Sequence, residues 1–583
     1  MAIKLLLDNQ EVVIDNSKEI RLYKENPYIT LSDSYTFDVS VPLSILKNRV
    51  FFGNVQRIER KKEYKEFACC LYYDNSLLLE GIARILQSTD TEVKIQLASG
   101  VSALKMSSEQ EGFYIDSIIK EKEGRAEETF YPLYLDYGTT KGDNHTGYGI
   151  PFLDNSNSAV LNLLDGDSLG GRMAHYISDC PKLLDVATLI SAELGFNLDM
   201  SILPPACNNI YIVSGAQGNM GKKLPHWTVK EFFKQFQNFF GCTFVNIGNN
   251  SLRLVSLNDF TKNAFTTIKP LKEFHVEYSE DDEADGIIMR NVEFEMENSD
   301  YEIVDDEILD QAKYTSEYSD AGALVNAFLA ETDIRMHKIY MVKGRKYICK
   351  KFSNGLFALQ RVAPFNPLRR FENTESVVLK IAPAFMENVE CTIFASHDLL
   401  VNSYDFKFYA ILPSVSNPFG LTNIWGMGAD GNPTLQDLIE GSESMVTNDQ
   451  KSDIMNVVFM DGTVETVTAT SSSYGGHSII FPIHLSFTDC DFKKQTNSNR
   501  KKWSFSLNEL KDFDFYLGQL HKLDFKINNK VKHVFKFLSD IIPEATNIFI
   551  IYGKIYACEK IEATIRDGKL DKLMTGYFYE MLL

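Results

Sequence analysis

Through its first hundred residues the chain alternates apolar and polar positions in short runs, each closed by turn formers. Ile3-Lys4-Leu5 and Val12-Val13-Ile14 flank Asp8-Asn9, a short hairpin signal. Residues 35–41 alternate at period two and Pro42 closes that run. The runs 67–73, 77–86 and 91–97 are separated by Asp74-Asn75-Ser76 and Ser88-Thr89-Asp90. They predict a meander, the usual building block of a small barrel or sandwich. The period then changes. Leu183, Leu184, Ala187, Ile190 and Leu194 fall at helical spacing and Gly195 ends the run. Thr228 is a good N-cap with Glu231 at the third position of a capping box. Phe232, Phe233, Phe236, Phe239 and Phe240 then form one apolar helix face up to Gly241. Residues 242–245 and 252–255, either side of Asn249-Asn250, predict a hairpin.

Between 121 and 172 no period lasts and Gly, Asn, Asp and Thr punctuate the chain, as in a long loop or insertion. Short strands return beyond 310, at 338–342 and 404–409, and 413–478 is rich in turn formers. The expected fold is α+β and β-dominated, with several small barrels or sandwiches around one α/β domain. The expected organisation is 1–120 β, 121–174 insertion, 175–258 α/β, 259–412 a second β domain, and 413–583 a loop-rich stretch leading into C-terminal β. One internal echo crosses these boundaries. Residues 344–351 and 553–560 share Gly-x-x-Tyr-x-Cys-x-Lys after an apolar strand. Each copy predicts strand, glycine turn, strand, with Tyr and Cys on one face and Lys outside; duplication and chance both account for four matched positions.

Length and composition narrow the class. With 583 residues, 44% hydrophobic and 24% charged, the chain can bury several cores, which excludes a disordered chain, a collagen-like fibre and a small disulfide scaffold. The formal charge of −20 argues against a general nucleic-acid binder and a sequence-specific one alike. Fifteen acidic residues against the single basic Arg290 fall between 277 and 310. The N-terminal residues carry no secretory signal, and no apolar run is long enough to span a membrane. Nine scattered cysteines without CxxC suit buried thiols in a reducing cytoplasm, the expected place of synthesis.

No catalytic constellation emerges. The acidic run Glu280-Asp281-Asp282-Glu283-Ala284-Asp285-Gly286 lacks the spaced ligands of a Ca²⁺ loop and fits a solvated face or a surface for a basic partner better. The ten histidines form no HExxH; His484 and His533 sit among apolar neighbours, as core or interface histidines do. No GxSxG elbow is present. Gly215 to Gly221 lacks the Gly-Lys-Ser/Thr ending of a phosphate loop. No enzyme, metal or cofactor is therefore expected.

Residues 77–82, the following strand, and Leu97-Ala98-Ser99-Gly100-Val101-Ser102-Ala103-Leu104 resemble the first barrel of phage tail-hub proteins, in which a "φ-φ-x-G-φ" strand precedes one ending in a short glycine turn. Residues 228–233, 239–245 and 252–255 resemble that family's "helix, φ-φ-G, strand, turn, strand" unit. Residues 34–42 and 48–53 are similar to the opening of virion proteins from phages and prophages of gut Bacteroidales, crAss-like phages included. The resemblance covers about residues 30–260, with 553–579 as a further candidate. It implies a virion protein of the tail (a baseplate or hub subunit) forming a ring between the tail tube and distal components, which DNA can traverse, with other tail proteins as partners and no catalytic residues. The rival readings are a carbohydrate- or receptor-binding β protein using aromatics such as Trp425 and Tyr474, and a tail-associated lysin with its enzymatic module within 300–550. For the hub, head-to-tail docking of a basic patch at Arg57, Arg60, Lys61 and Lys62 on the acidic Asp281, Asp282 and Glu283 predicts a three- or six-fold homo-oligomer. The alternative is that the two patches are independent solvated faces.

Overall fold

The computed structural model describes residues 3–55, 57, 59, 66–108, 114–118, 131–132, 148–149, 163–165, 175–177, 179–214, 220–278, 291–294, 301–302, 314–318, 323, 339–342, 345–351, 357–362, 376–397, 400–412, 453–467, 478–484, 503–511 and 513–582. Among them the fold is α+β and strand-dominated, with small sheets around one of fifteen strands. That large sheet joins the two ends of the sequence. Its main path runs Pro270–Tyr278, Lys526–Leu538, Leu573–Leu582, Lys554–Arg566, Ile20–Glu25, Tyr35–Thr36, Glu92–Ala98, Ser76–Ser88, Glu66–Tyr73, Ile3–Leu7, Gln10–Val12. The seam is antiparallel, from Ile20 opposite Ile565 to Glu25 opposite Lys560. One core continues beneath it, in which Leu5, Leu22, Val41, Ile95, Phe537, Phe549, Cys558, Ile561 and Phe578 are all buried.

The expected meander forms as Glu66–Tyr73, Ser76–Ser88 and Glu92–Ala98. Its first turn, Asp74-Asn75, and the turns Asp8-Asn9, Tyr552-Gly553 and Asp567-Gly568 are two-residue links with positive φ at both positions. This mirror-image turn matches the right-handed twist of the flanking strands. Asp, Asn and Gly tolerate that backbone, so the local sequence marks these sites; Tyr552, 73% exposed at a hairpin tip, adopts it without such help. The run at 35–42 is not one strand but two, Tyr35–Thr36 and Val39–Pro42, which pair with Glu92–Ala98 at different points.

Two residues explain how the N-terminal ladder curls. Gly81, the glycine of the "φ-φ-x-G-φ" run, lies where a Cβ would stand 2.0 Å from the Ala98 carbonyl oxygen and 2.8 Å from the Ser99 Cα. Only a residue without a side chain allows so close an approach. Asn48, fully buried in the short helix Leu46–Phe51, acts as a strand in miniature. Its Oδ1 accepts the Val13 N–H (3.0 Å), and its Nδ2 donates to the carbonyls of Val13 (2.8 Å) and Pro42 (2.9 Å). The Asp15 N–H then donates to the Ser40 carbonyl (3.0 Å), linking the edge after Gln10–Val12 to Val39–Pro42.

The C-terminal ladder also returns to its start. Phe265–Thr267 runs parallel to Ile548–Ile551, while the same chain continues as Pro270–Tyr278 beside Lys526–Leu538. Both copies of the sequence echo form the same hairpin: Ile339 opposite Ile348 and Val342 opposite Arg345 in one, Ile548 opposite Ala557 and Ile551 opposite Lys554 in the other. In the second copy, strict alternation would place Lys560 on the face of the buried Tyr556 and Cys558. The ladder with Leu573–Leu582 shifts register between Cys558 and Lys560, and burial passes to Ile561, Ala563 and Ile565. A bulge therefore turns the lysine outward.

The two helices and the hairpin expected of the α/β unit form. Leu183–Glu193 ends before Gly195 (φ +79°), and Val229–Phe240 is capped by the Thr228 hydroxyl, which accepts the Glu231 N–H (3.2 Å). The Glu231 carboxylate accepts from the Gln235 amide one turn on (3.0 Å). Phe232, Phe233, Phe236, Phe239 and Phe240 are all buried, and Gly241 closes the helix in the left-handed conformation. The hairpin Cys242–Asn246 and Ser251–Ser256 follows, with Asn197–Asp199 parallel to the latter. The stretch after Leu97, expected as a turn, is instead the helix Gly100–Ser108. Its Val101, Ala103 and Leu104 share one core with Ile82 and Ala98 of the large sheet and with the phenylalanine helix. That helix couples the sheet to the α/β unit.

Candidate assembly surface

Of the residues expected to meet between copies, Arg57 is exposed in the turn after Leu46–Phe51, where its N–H donates to the Asn54 carbonyl (3.0 Å). Arg60, Lys61, Lys62, Asp281, Asp282 and Glu283 lie outside the described residues, as do Trp425, Tyr474 and most of 121–172. His533 is half-buried between Phe535 and Tyr556, and burial lowers its pKa.

What the tertiary structure assembles is the seam between the two ladders. Asn26 spans it: its N–H donates to the Glu559 carbonyl (2.9 Å) and its Nδ2 to the Cys558 carbonyl (2.7 Å), while its Oδ1 accepts the Tyr28 N–H (3.1 Å) and caps the short helix Pro27–Thr30. Lys24, almost fully buried, pairs with Glu544. Lys532 and Glu559 form a largely buried ion pair (3.0 Å), and the Tyr579 hydroxyl donates to Glu559 (2.8 Å). On the outer face Tyr23 stacks on Tyr35 (5.2 Å between centroids), and the Lys560 ammonium stands 4.4 Å from the Tyr577 ring. Burial pushes the Glu25 carboxyl above its ordinary range and Tyr577, beside Glu562, up to about 12. Burial also raises Asp33, next to the start of Gly100–Ser108, where its carboxylate accepts the Ser34 N–H (2.7 Å). Asn26 with Cys558 and Lys24 with Glu544 join parts of the chain more than 500 residues apart, which is why sequence reasoning missed them. Lys532, Glu559, Tyr579, Lys560 and Tyr577 brace the C-terminal ladder itself.

Elsewhere His226 stacks on Tyr114 (3.6 Å) and faces Asp116 (3.1 Å) at the surface. Among the described residues no three His, Cys, Asp or Glu side chains are grouped to hold a metal, and no helix is long and apolar enough to cross a membrane.

Neither a family model nor a curated protein matches the chain. The solved structures with weak similarity to the chain include two tail proteins. The 43 kDa tail protein of prophage MuSo2 from Shewanella oneidensis shares 6% identity over 99% of this chain and 96% of its own, with a TM-score of 0.30. A tail protein from Neisseria meningitidis MC58 shares 8% over the same shares, with a TM-score of 0.31. At these scores the superposition is too loose to carry fold or function across.

One open stretch of the surface is the sheet edge Pro270–Tyr278, which among the described residues pairs only with Lys526–Leu538. Phe274 and Tyr278 are 58% and 79% exposed, and Leu271, Leu538, Ile541 and Leu573 nearby are exposed as well.

Proposed function

We propose that the chain is a non-catalytic structural subunit of a phage tail, a hub protein that closes into a ring of three or six copies between the tail tube and more distal components. The observation that supports it best is the fusion of two ladders, each curling back toward its own start, through the Ile20–Glu25 and Lys554–Arg566 seam. In this reading the two ladders act as two barrel-like units side by side, so that three copies surround a channel with six of them. The buried Asn26 contact with Cys558 and the Lys24–Glu544 pair across the seam support the stiffness that a ring subunit needs. The sequence resemblance of residues 30–260 and 553–579 to tail-hub proteins points the same way, and a charge of −20 suits a channel through which DNA slides without binding. The proposed place of action is the virion tail, after synthesis in the host cytoplasm.

Native mass measurement tests this directly: a trimer or hexamer is expected, and a monomer across the micromolar range refutes the ring. Reversing Arg60, Lys61 and Lys62 together to Glu is expected to dissociate it with the melting temperature unchanged, and high salt to weaken it through screening. A reversed variant that sediments like the parent removes that basic patch from the ring contact.

A further inference from the structure

We infer that the edge Phe274–Tyr278, unpaired on one side among the described residues, is a two-fold contact between copies of this chain, in which the strand pairs antiparallel with itself about Val276. Unpaired strand edges offer a row of backbone donors and acceptors, and proteins normally shield them with bulges, prolines or covering loops. Here the irregularity lies before Phe274, in the register shift between Pro270 and Phe274. Residues 274–278 run regularly beside Val531–Phe535, and no strand among the described residues pairs with their other side.

Side-by-side antiparallel pairing about a two-fold axis keeps each face of the strand on the same side of the sheet, so only residues of like parity can stand opposite one another. Centring the axis on Val276 meets that condition. It sets Phe274 opposite Tyr278 of the second copy, twice, and His275 opposite its Glu277, twice. Phe274, Val276 and Tyr278 share one face, which becomes an aromatic and aliphatic strip; aromatic pairs are favourable cross-strand combinations. On the other face His275 and Glu277 stand at hydrogen-bond distance within the strand (Nε2 to Oε1, 3.1 Å), and the pairing sets each beside the same partner residue of the second copy. The exposed parts of Phe274 and Tyr278 amount to on the order of 300 Å², a share of the ~800 Å² that each partner contributes to a standard interface. A second copy of the chain supplies the complementary strand and the facing aromatics.

The contact does not depend on ring closure, since a two-fold axis joins either two free subunits or two rings. Cysteine cross-linking of the full-length chain tests it. Val276→Cys places two thiols directly opposite at the axis and is expected to give a covalent dimer under mild oxidation. His275→Cys, whose opposite residue is Glu277, is expected to stay at the parent's background. Val276→Lys sets two ammonium groups against each other and is expected to weaken two-fold association at least tenfold in sedimentation, with the melting temperature kept. Cross-linking of Val276→Cys no greater than that of the parent overturns the inference, whether or not the chain forms rings. Equal cross-linking by His275→Cys overturns the register.

Discussion

Replacing Gly81 by Ala probes the tightest crossing in the structure. The new methyl would stand 2.0 Å from the Ala98 carbonyl oxygen and 2.8 Å from the Ser99 Cα. Carbon–oxygen contacts relax only at about 3.3 Å, so Ser76–Ser88 and Glu92–Ala98 must part by more than ~1 Å. Both contacted atoms are backbone, so no side-chain rotation relieves them. Parting there disturbs the ladder at Ile82 opposite Ala98 and Ala83 opposite Leu97, and opens the core where Ile82, Ala83, Leu97 and Ala98 are buried. Overpacking contributes about 1–3 kcal/mol and two weakened ladder bonds about 1 kcal/mol each. The stiffer unfolded chain returns about 0.5–1 kcal/mol. The net loss is about 3 kcal/mol, or roughly 6–12 °C in melting temperature for a cooperative unit of a few hundred residues. Thermal and urea unfolding followed by near-ultraviolet circular dichroism would measure it. Gly195→Ala is the control, because nothing stands within 4 Å of its Cβ position and only its φ of +79° opposes the change, at about 1 kcal/mol. A Gly81→Ala protein as stable as the parent, or less perturbed than Gly195→Ala, would refute the close-approach argument.

Asn48→Asp keeps the shape but removes both donations and aims a carboxylate at the Val13 and Pro42 carbonyls. The expected cost is about 3 kcal/mol in urea unfolding at pH 7, shrinking as acid protonates the new carboxyl; a variant within about 0.5 kcal/mol of the parent at pH 7 would exclude the bridging role. Asp33 has its folded pKa raised by burial, so the folded state holds its proton more tightly than the unfolded one. Its contribution therefore falls as pH rises from the unfolded value near 3.8 through the raised folded value. Asp33→Asn, which still accepts the Ser34 N–H, is expected to match or exceed the parent in stability at pH 7, with the gap closing below pH 3.8. A gap that widens on acidification would reverse the sign of this assignment.

Features confined to a few consecutive residues were legible in the sequence. Asp8-Asn9, Asp74-Asn75 and the glycine of the 553–560 hairpin form turns because their backbones tolerate positive φ wherever they are placed. Thr228, the phenylalanine stripe and Gly241 define a helix with both ends, because capping and a 3.6-residue period act within a few turns. The sequence also gave Gly81 as part of a pattern, but the reason for it is the Ala98 carbonyl across the ladder. Gly100–Ser108, expected as a turn after a strand, is a helix whose apolar side is shared between the sheet and the α/β unit, and packing outweighs its weak local signal. Tertiary structure alone decided that Ile20–Glu25 pairs with Lys554–Arg566, that Asn26 and Asn48 serve as bridges, and that a bulge turns Lys560 outward. Strand pairing depends on which edges meet after the intervening chain has folded. A single sequence encodes an edge's preference for a partner strand, whereas burial of a common core selects which strand, at which register, becomes that partner.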